Sequence, residues 1–123
     1  MAVKADYREH REQTAVIQWI RRNHPEVFFF AIPNGGRRGL GEALRLKAEG
    51  VVPGVPDICV AAARGGFHGL YLEMKRPCGG TVSPAQKDAL SRLDAAGYRT
   101  EVCRGAEAAI GVLKEYFDDT RDR

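Results

Sequence analysis

Apolar and polar positions change period along this chain, and each change marks an element. From Asp6 the pattern is helical. Val16, Ile17, Trp19 and Ile20 recur at helical spacing, Asp6 stands at an N-cap position with Glu9 three residues later, and Asn23-His24-Pro25 stops the run. Residues 27–32, VFFFAI, are continuously apolar, rich in aromatic rings and bounded by Pro33, which predicts a central strand. Residues 40–49 turn helical again, with Gly50 as a natural C-cap. Residues 54–76 predict a β-hairpin. Asp57 opens the alternating run Ile58-Cys59-Val60-Ala61, Gly65-Gly66 and Gly69 break the chain, and a second strand follows from Leu70. Ser83-Pro84-Ala85-Gln86 carries an N-cap serine, a first-turn proline and a capping-box glutamine, so a helix runs from there to Gly97. Residues 98–103 predict a strand and residues 106–117 a final helix. The order α, β, α, β, β, α, β, α predicts an α/β fold with a mixed central sheet of about four strands flanked by helices.

Composition narrows the class without naming a function. A chain of 123 residues that is 44% hydrophobic suits one domain, expected over residues 1–123, with one core. No apolar run approaches the ~18 residues of a membrane span, and the N-terminus lacks a secretory pattern, so a soluble cytoplasmic protein with no membrane partner is expected. Cys59, Cys78 and Cys103 are odd in number and widely spaced, which argues against a disulfide framework or a zinc knuckle. His10, His24 and His68 form no ligand-spaced set. The net charge of +3 is mild, but its distribution is uneven. Arg8, Arg11, Arg21, Arg22, Arg37, Arg38, Arg45, Lys47 and Arg64 all precede the second hairpin strand.

The candidate chemistry sits in the hairpin. Period-2 geometry sends Leu70, Leu72 and Met74 to one face and Tyr71, Glu73 and Lys75 to the other, so that with Asp57 two carboxylates and an ammonium share a face. A solvated strand face also carries Glu and Lys, so Glu-x-Lys alone has little force. Two prolines, Pro53 and Pro56, restrict the backbone that delivers Asp57. Gln86 lies on the helical stripe with Ala89, Leu90, Leu93 and Ala96, which packs toward the sheet, and a polar group there needs a partner. Asn34-Gly35-Gly36-Arg37-Arg38-Gly39 is a basic, glycine-rich loop whose amides can approach phosphate closely, although Walker A spacing is absent. On the first helix, steps back from Ile17 and Ile20 reach Gln13 and Glu9, and steps from Val16 and Ile20 reach Glu12. Either carboxylate can look inward.

These residues resemble the PD-(D/E)xK nuclease superfamily through Pro56-Asp57 followed by Glu73-Met74-Lys75. More narrowly, PNGG at 33–36, LKAEGVVPGVPDICV at 46–60, LEMKRPCGGTVSPAQ at 72–86 and the later L-x-x-x-G-Y look like the VRR-NUC family, known from small phage proteins and the nuclease domain of the Fanconi-associated nuclease. The resemblance covers roughly residues 6–102. It implies a restriction-endonuclease-like core and a metal-dependent DNA endonuclease, with Asp57, Glu73 and the Met74 carbonyl holding Mg²⁺ or Mn²⁺. It also implies catalytic roles for Lys75 and Gln86, a first-helix glutamate beside the site with Glu9 favoured and Glu12 the alternate, and a nucleic-acid face with Asn34, Arg37, Arg38 and Lys47. Stand-alone members of this length are associated with branched DNA such as Holliday junctions and with homodimers, which would place the chain in a bacterial cell or phage-infected host. The alternatives are a flap or single-strand-directed nuclease, or an inactive nucleic-acid-binding module.

Overall fold

The computed structural model describes residues 2–33 and 39–118, with side chains from residue 9 onward. Four strands form one mixed sheet in chain order: β1 (Phe29–Ala31), β2 (Ile58–Val60), β3 (Leu70–Lys75) and β4 (Arg99–Arg104). β1, β2 and β3 run antiparallel in succession, and β4 lies parallel to β3. A parallel neighbour cannot be reached by a tight turn, so the chain crosses over the sheet through α3 (Pro84–Ala95) before it returns as β4. That crossover lays α3 on the sheet face that carries Tyr71, Glu73 and Lys75.

The opposite face makes the core. Leu70, Leu72 and Met74, with Ile58, Val60 and Cys103, are buried with Val16 and Ile20 from α1 (Ala2–Asn23) and Ala109 and Leu113 from α4 (Ala106–Tyr116). The strand alternation and the helical stripe read from the sequence therefore meet there as expected. Tyr116 donates its hydroxyl proton to the Ala62 carbonyl at 2.6 Å, and His24 stacks on Phe117 with centroids 4.3 Å apart, which ties the end of α1 to the end of α4. No helix among the described residues is long and apolar enough to cross a membrane.

Two local expectations change. The helix expected from an Asp6 cap begins at Ala2, so Asp6 and Glu9 both lie inside the helix and not at its start. The apolar run 27–32 is not a central strand. Only Phe29–Ala31 pairs, at the sheet edge, and Phe28 and Phe30 are 69% and 42% exposed. A continuous apolar run indicates burial on both faces, but an edge strand beyond the reach of the helices leaves one aromatic face uncovered. Short α2 (Leu40–Ala48) has no buried residue; its C-cap is Glu49, and Gly50, expected at the cap, follows it at φ 96°, the left-handed turn that ends the helix.

Candidate active site

The hairpin register builds the acidic pair. Ile58 pairs with Leu72 and Cys59 with Tyr71, and the same register continued one step sets Asp57 opposite Glu73. β2 stops there while β3 runs on, so among the described residues the edge of β3 beyond Leu72 has no strand partner on that side. The Met74 amide takes Asp57 as its partner instead, donating to Oδ2 at 2.7 Å. A strand residue's N–H and C=O point to the same side. The Leu72 carbonyl accepts from the Asp57 amide and the Lys75 carbonyl accepts from Gly105 on the β4 side, so the Met74 carbonyl faces the same edge as Asp57.

Gln86 closes the cluster from α3. Its Nε2 donates to Glu73 Oε2 at 3.1 Å, and its Oε1 accepts from Lys75 Nζ at 2.9 Å and from the Ser83 amide at 2.9 Å. The Gln86 amide in turn donates to Ser83 Oγ at 3.1 Å. One side chain therefore serves as the capping-box partner and as the bridge between the acid and the lysine. Lys75 Nζ lies 3.7 Å from Glu73 Oε2, with both side chains largely buried.

The glycine before this site is sterically required. At Gly54, φ is +87° and an added Cβ would stand 2.5 Å from the Ala85 carbonyl carbon and 2.8 Å from the Gln86 amide nitrogen. The backbone three residues ahead of Asp57 thus lies directly against the first turn of α3, and the acid and the glutamine are located by one contact. Sequence reading saw the Pro-Gly-Val-Pro stiffness but not this approach, which no local pattern encodes.

Electrostatics strain the pair toward binding a cation. Glu73 is 3% exposed, and burial, with the Asp57 charge opposite, pushes its carboxyl up to about 8, against a partial offset from Lys75. Burial also raises Asp57, opposed by the Met74 amide. Glu73 Oε1 is buried and no N–H donor reaches it, although the Glu73 carboxyl itself meets that of Asp57. An orphaned carboxylate oxygen beside a second acid and a free-facing carbonyl is a donor set of hard oxygens, which fits Mg²⁺ or Mn²⁺.

Other sequence candidates are dispersed. Glu12 accepts the Ala106 amide at 2.6 Å and so caps α4, which accounts for its inward position structurally. Glu9 is half-exposed, with Oε2 3.9 Å from Arg76 Nε, beside the residue that follows Lys75. Among the described residues no set of three or more His, Cys, Asp and Glu side chains converges as a metal cage. Lys47 is exposed on α2, and Arg64 lies 5.4 Å from the Phe117 ring centroid, at the far end of α4. Asn34, Arg37 and Arg38 lie outside the described residues. Sequence reading missed Arg76 and Arg104, which organise the loop after β3: the Arg104 guanidinium donates to the Gly79 and Gly80 carbonyls, and the Arg76 guanidinium packs against Gly79.

No curated protein matches the chain. A solved structure of a VRR_NUC domain protein is similar, with a TM-score of 0.77 and 30% identity over 89% of this chain and 88% of that one. The mixed four-stranded sheet with its four helices is thus an α/β fold of the restriction-endonuclease-like kind. The VRR-NUC domain model matches residues 2–107, a span that holds Asp57, Glu73, Lys75 and Gln86, and the chain therefore belongs to the VRR-NUC domain family, a nuclease-type family.

Proposed function

We propose that this protein is a Mg²⁺- or Mn²⁺-dependent endonuclease that hydrolyses phosphodiester bonds in DNA, selective for branched structures such as Holliday junctions and acting as a homodimer. The observation that carries the reading is the opposed pair Asp57 and Glu73, whose orphaned Oε1 and raised carboxyl match a site completed by a cation. A protein that only docked onto DNA would gain nothing from two acids facing a polyanion.

Asp57, Glu73 and the Met74 carbonyl would hold the ion. When bound it supplies positive charge against the phosphate and acidifies the attacking water. The chain's own residues do the rest. Lys75 has three N–H donors, of which one goes to Gln86 and one faces Glu73, leaving a donor for the water or a phosphate oxygen. Gln86 keeps that ammonium in place and fixes the Glu73 carboxylate, so neither has to reorganise when the phosphate arrives. The water oxygen forms the new bond to phosphorus and releases its proton to solvent as the bond to the leaving sugar oxygen breaks, and that oxygen takes a proton from solvent. Cutting two strands of a four-way junction with one such centre per chain calls for two chains related by a twofold axis.

The test is cleavage of four-way junction, flap and linear duplex DNA in Mg²⁺, Mn²⁺ or EDTA. Junction nicking that requires metal and is lost in Glu73→Ala and Lys75→Ala, while both variants still bind DNA, is the expected result. Preferential cutting of flaps or single strands would move the substrate class. Binding without cleavage in either metal would make the protein a docking module.

A further inference from the structure

Beside the proposed centre, on the same face of the sheet, lies a cavity of about 480 Å³ whose walls are almost wholly apolar. Ile32, Val52, Val55, Tyr71 and Leu93 line it, with Arg92 at the rim. Its position follows from the geometry of the site. Tyr71 precedes Glu73 by two residues on β3 and Val55 precedes Asp57 by two, each step about 7 Å along an extended chain. Ala89, another wall, lies on α3 one turn beyond Gln86. The Ile32 amide donates to the Asp57 carbonyl at 2.7 Å, which brings the end of β1 in as a further wall. Three walls of the cavity, Val55, Tyr71 and Ala89, thus lie two or three residues from Asp57, Glu73 and Gln86.

We infer that this cavity receives an unpaired nucleobase of the nucleotide next to the phosphate held over Glu73 and Lys75. The inference rests on the nuclease reading and specifies how that site selects its substrate. A base lies one sugar away from its phosphate, so a strand with its phosphate at the acids carries its neighbouring base to this opening. The volume is in the range of small-molecule sites, and an aromatic ring with aliphatic walls and an arginine rim suits the flat face of a heterocycle. Because few polar groups converge inside, the pocket would accept any base and read no sequence. A base stacked in continuous duplex reaches it only after unpairing, whereas a bulged base is already free and a base pair at a branch point has lost part of its stacking, so the cavity favours interrupted DNA. Val51 and Val52 are 46% and 55% exposed, apolar surface that such an occupant would cover.

The test compares a duplex bearing one bulged thymidine with the same duplex bearing an abasic residue at that position. Binding is read by fluorescence anisotropy in EDTA, and cleavage is read separately in Mg²⁺ or Mn²⁺. The full-length protein is expected to bind the bulged base about tenfold more tightly than the abasic site. Val52→Trp, a change at an exposed position that fills the opening, should erase that difference, and Val52→Ala, which leaves the opening, should keep it. Circular dichroism confirms that both variants remain folded. Equal affinity for base and abasic DNA in the unaltered protein overturns the pocket, even if metal-dependent cleavage is seen. A tenfold preference erased by Val52→Trp, with no cleavage in any metal, leaves the pocket standing and removes the nuclease reading. A Val52→Trp chain that changes oligomeric state without any abasic effect assigns the cavity to a second copy and also overturns the inference.

Discussion

Glu73 holds its proton where an exposed glutamate would have lost it, and this has a measurable sign. Its carboxyl is raised from 4.5 to about 8 in the folded chain, so as pH climbs from about 4.5 the unfolded state ionises first. The folded state's advantage is complete below 4.5, falls as pH rises toward 8, and is flat above. Glu73→Gln removes that slope. In EDTA, thermal unfolding from pH 6 to pH 9 should show the unaltered protein losing stability relative to Glu73→Gln, by on the order of 2 kcal/mol at the alkaline end. Parallel curves would mean that Glu73 is not strained. The same proton predicts that Mn²⁺ binding at pH 7 releases close to one proton per ion, seen as a dependence of the calorimetric heat on the buffer's ionisation enthalpy. At this scale the sequence was informative where spacing sufficed: Glu73 and Lys75 share a face because strands alternate. It could not choose between Glu9 and Glu12, since what settles Glu12 is an amide 94 residues away.

Helix α3 carries two functions in one turn, and substitution can separate them. Ser83→Ala removes the cap and should cost about 1 kcal/mol of stability, with cleavage reduced only a few-fold because the Gln86 bridges remain. Gln86→Ala should cost a similar amount of stability but lower kcat by about a hundredfold, because Lys75 and Glu73 lose their common partner. Equal activity losses in the two variants would reduce Gln86 to a cap. A pair of glycines gives a second contrast. Gly50 and Gly54 both have positive φ, but a Cβ at Gly50 meets nothing within 4 Å whereas one at Gly54 strikes the backbone of Ala85. Gly50→Ala is expected to cost about 1 kcal/mol with activity kept. Gly54→Ala should displace the start of α3 and lower kcat by tenfold or more at a temperature where it is still folded, with DNA affinity little changed. Equal kcat in the two would show that the approach does not position the site. Capping and periodicity made α3 legible in the sequence. The expected central strand failed because an apolar run records local hydrophobicity and not the number of neighbours a strand will have.

For the whole molecule, the expected substrate is a polyanion and the expected assembly a pair. Arg37 and Arg38, outside the described residues, are predicted to contact phosphate. Arg37→Ala and Arg38→Ala should each weaken binding across all DNA sequences and lower the slope of log affinity against log salt by about 1. An unchanged slope would take them off the DNA face. Sedimentation equilibrium should give twice the 13.5 kDa chain mass, and a monomer that still resolves junctions symmetrically would remove the dimer from the mechanism.

The amino-acid order by itself determined what depends on neighbours within a few residues: four helices and four strands in sequence, the capping of α3, the two faces of β3, and the PD and Glu-x-Lys pattern with its family resemblance. Tertiary structure decided what depends on distant segments meeting. It set β1 at the edge, committed Glu12 to α4, placed Glu9 at Arg76, brought Gly54 against α3 and opened a cavity next to the acids. The division has a physical cause. Periodicity and capping are local free-energy preferences written within a few turns of chain, whereas an atom-to-atom contact across the fold exists only after the core has fixed every element's position at once.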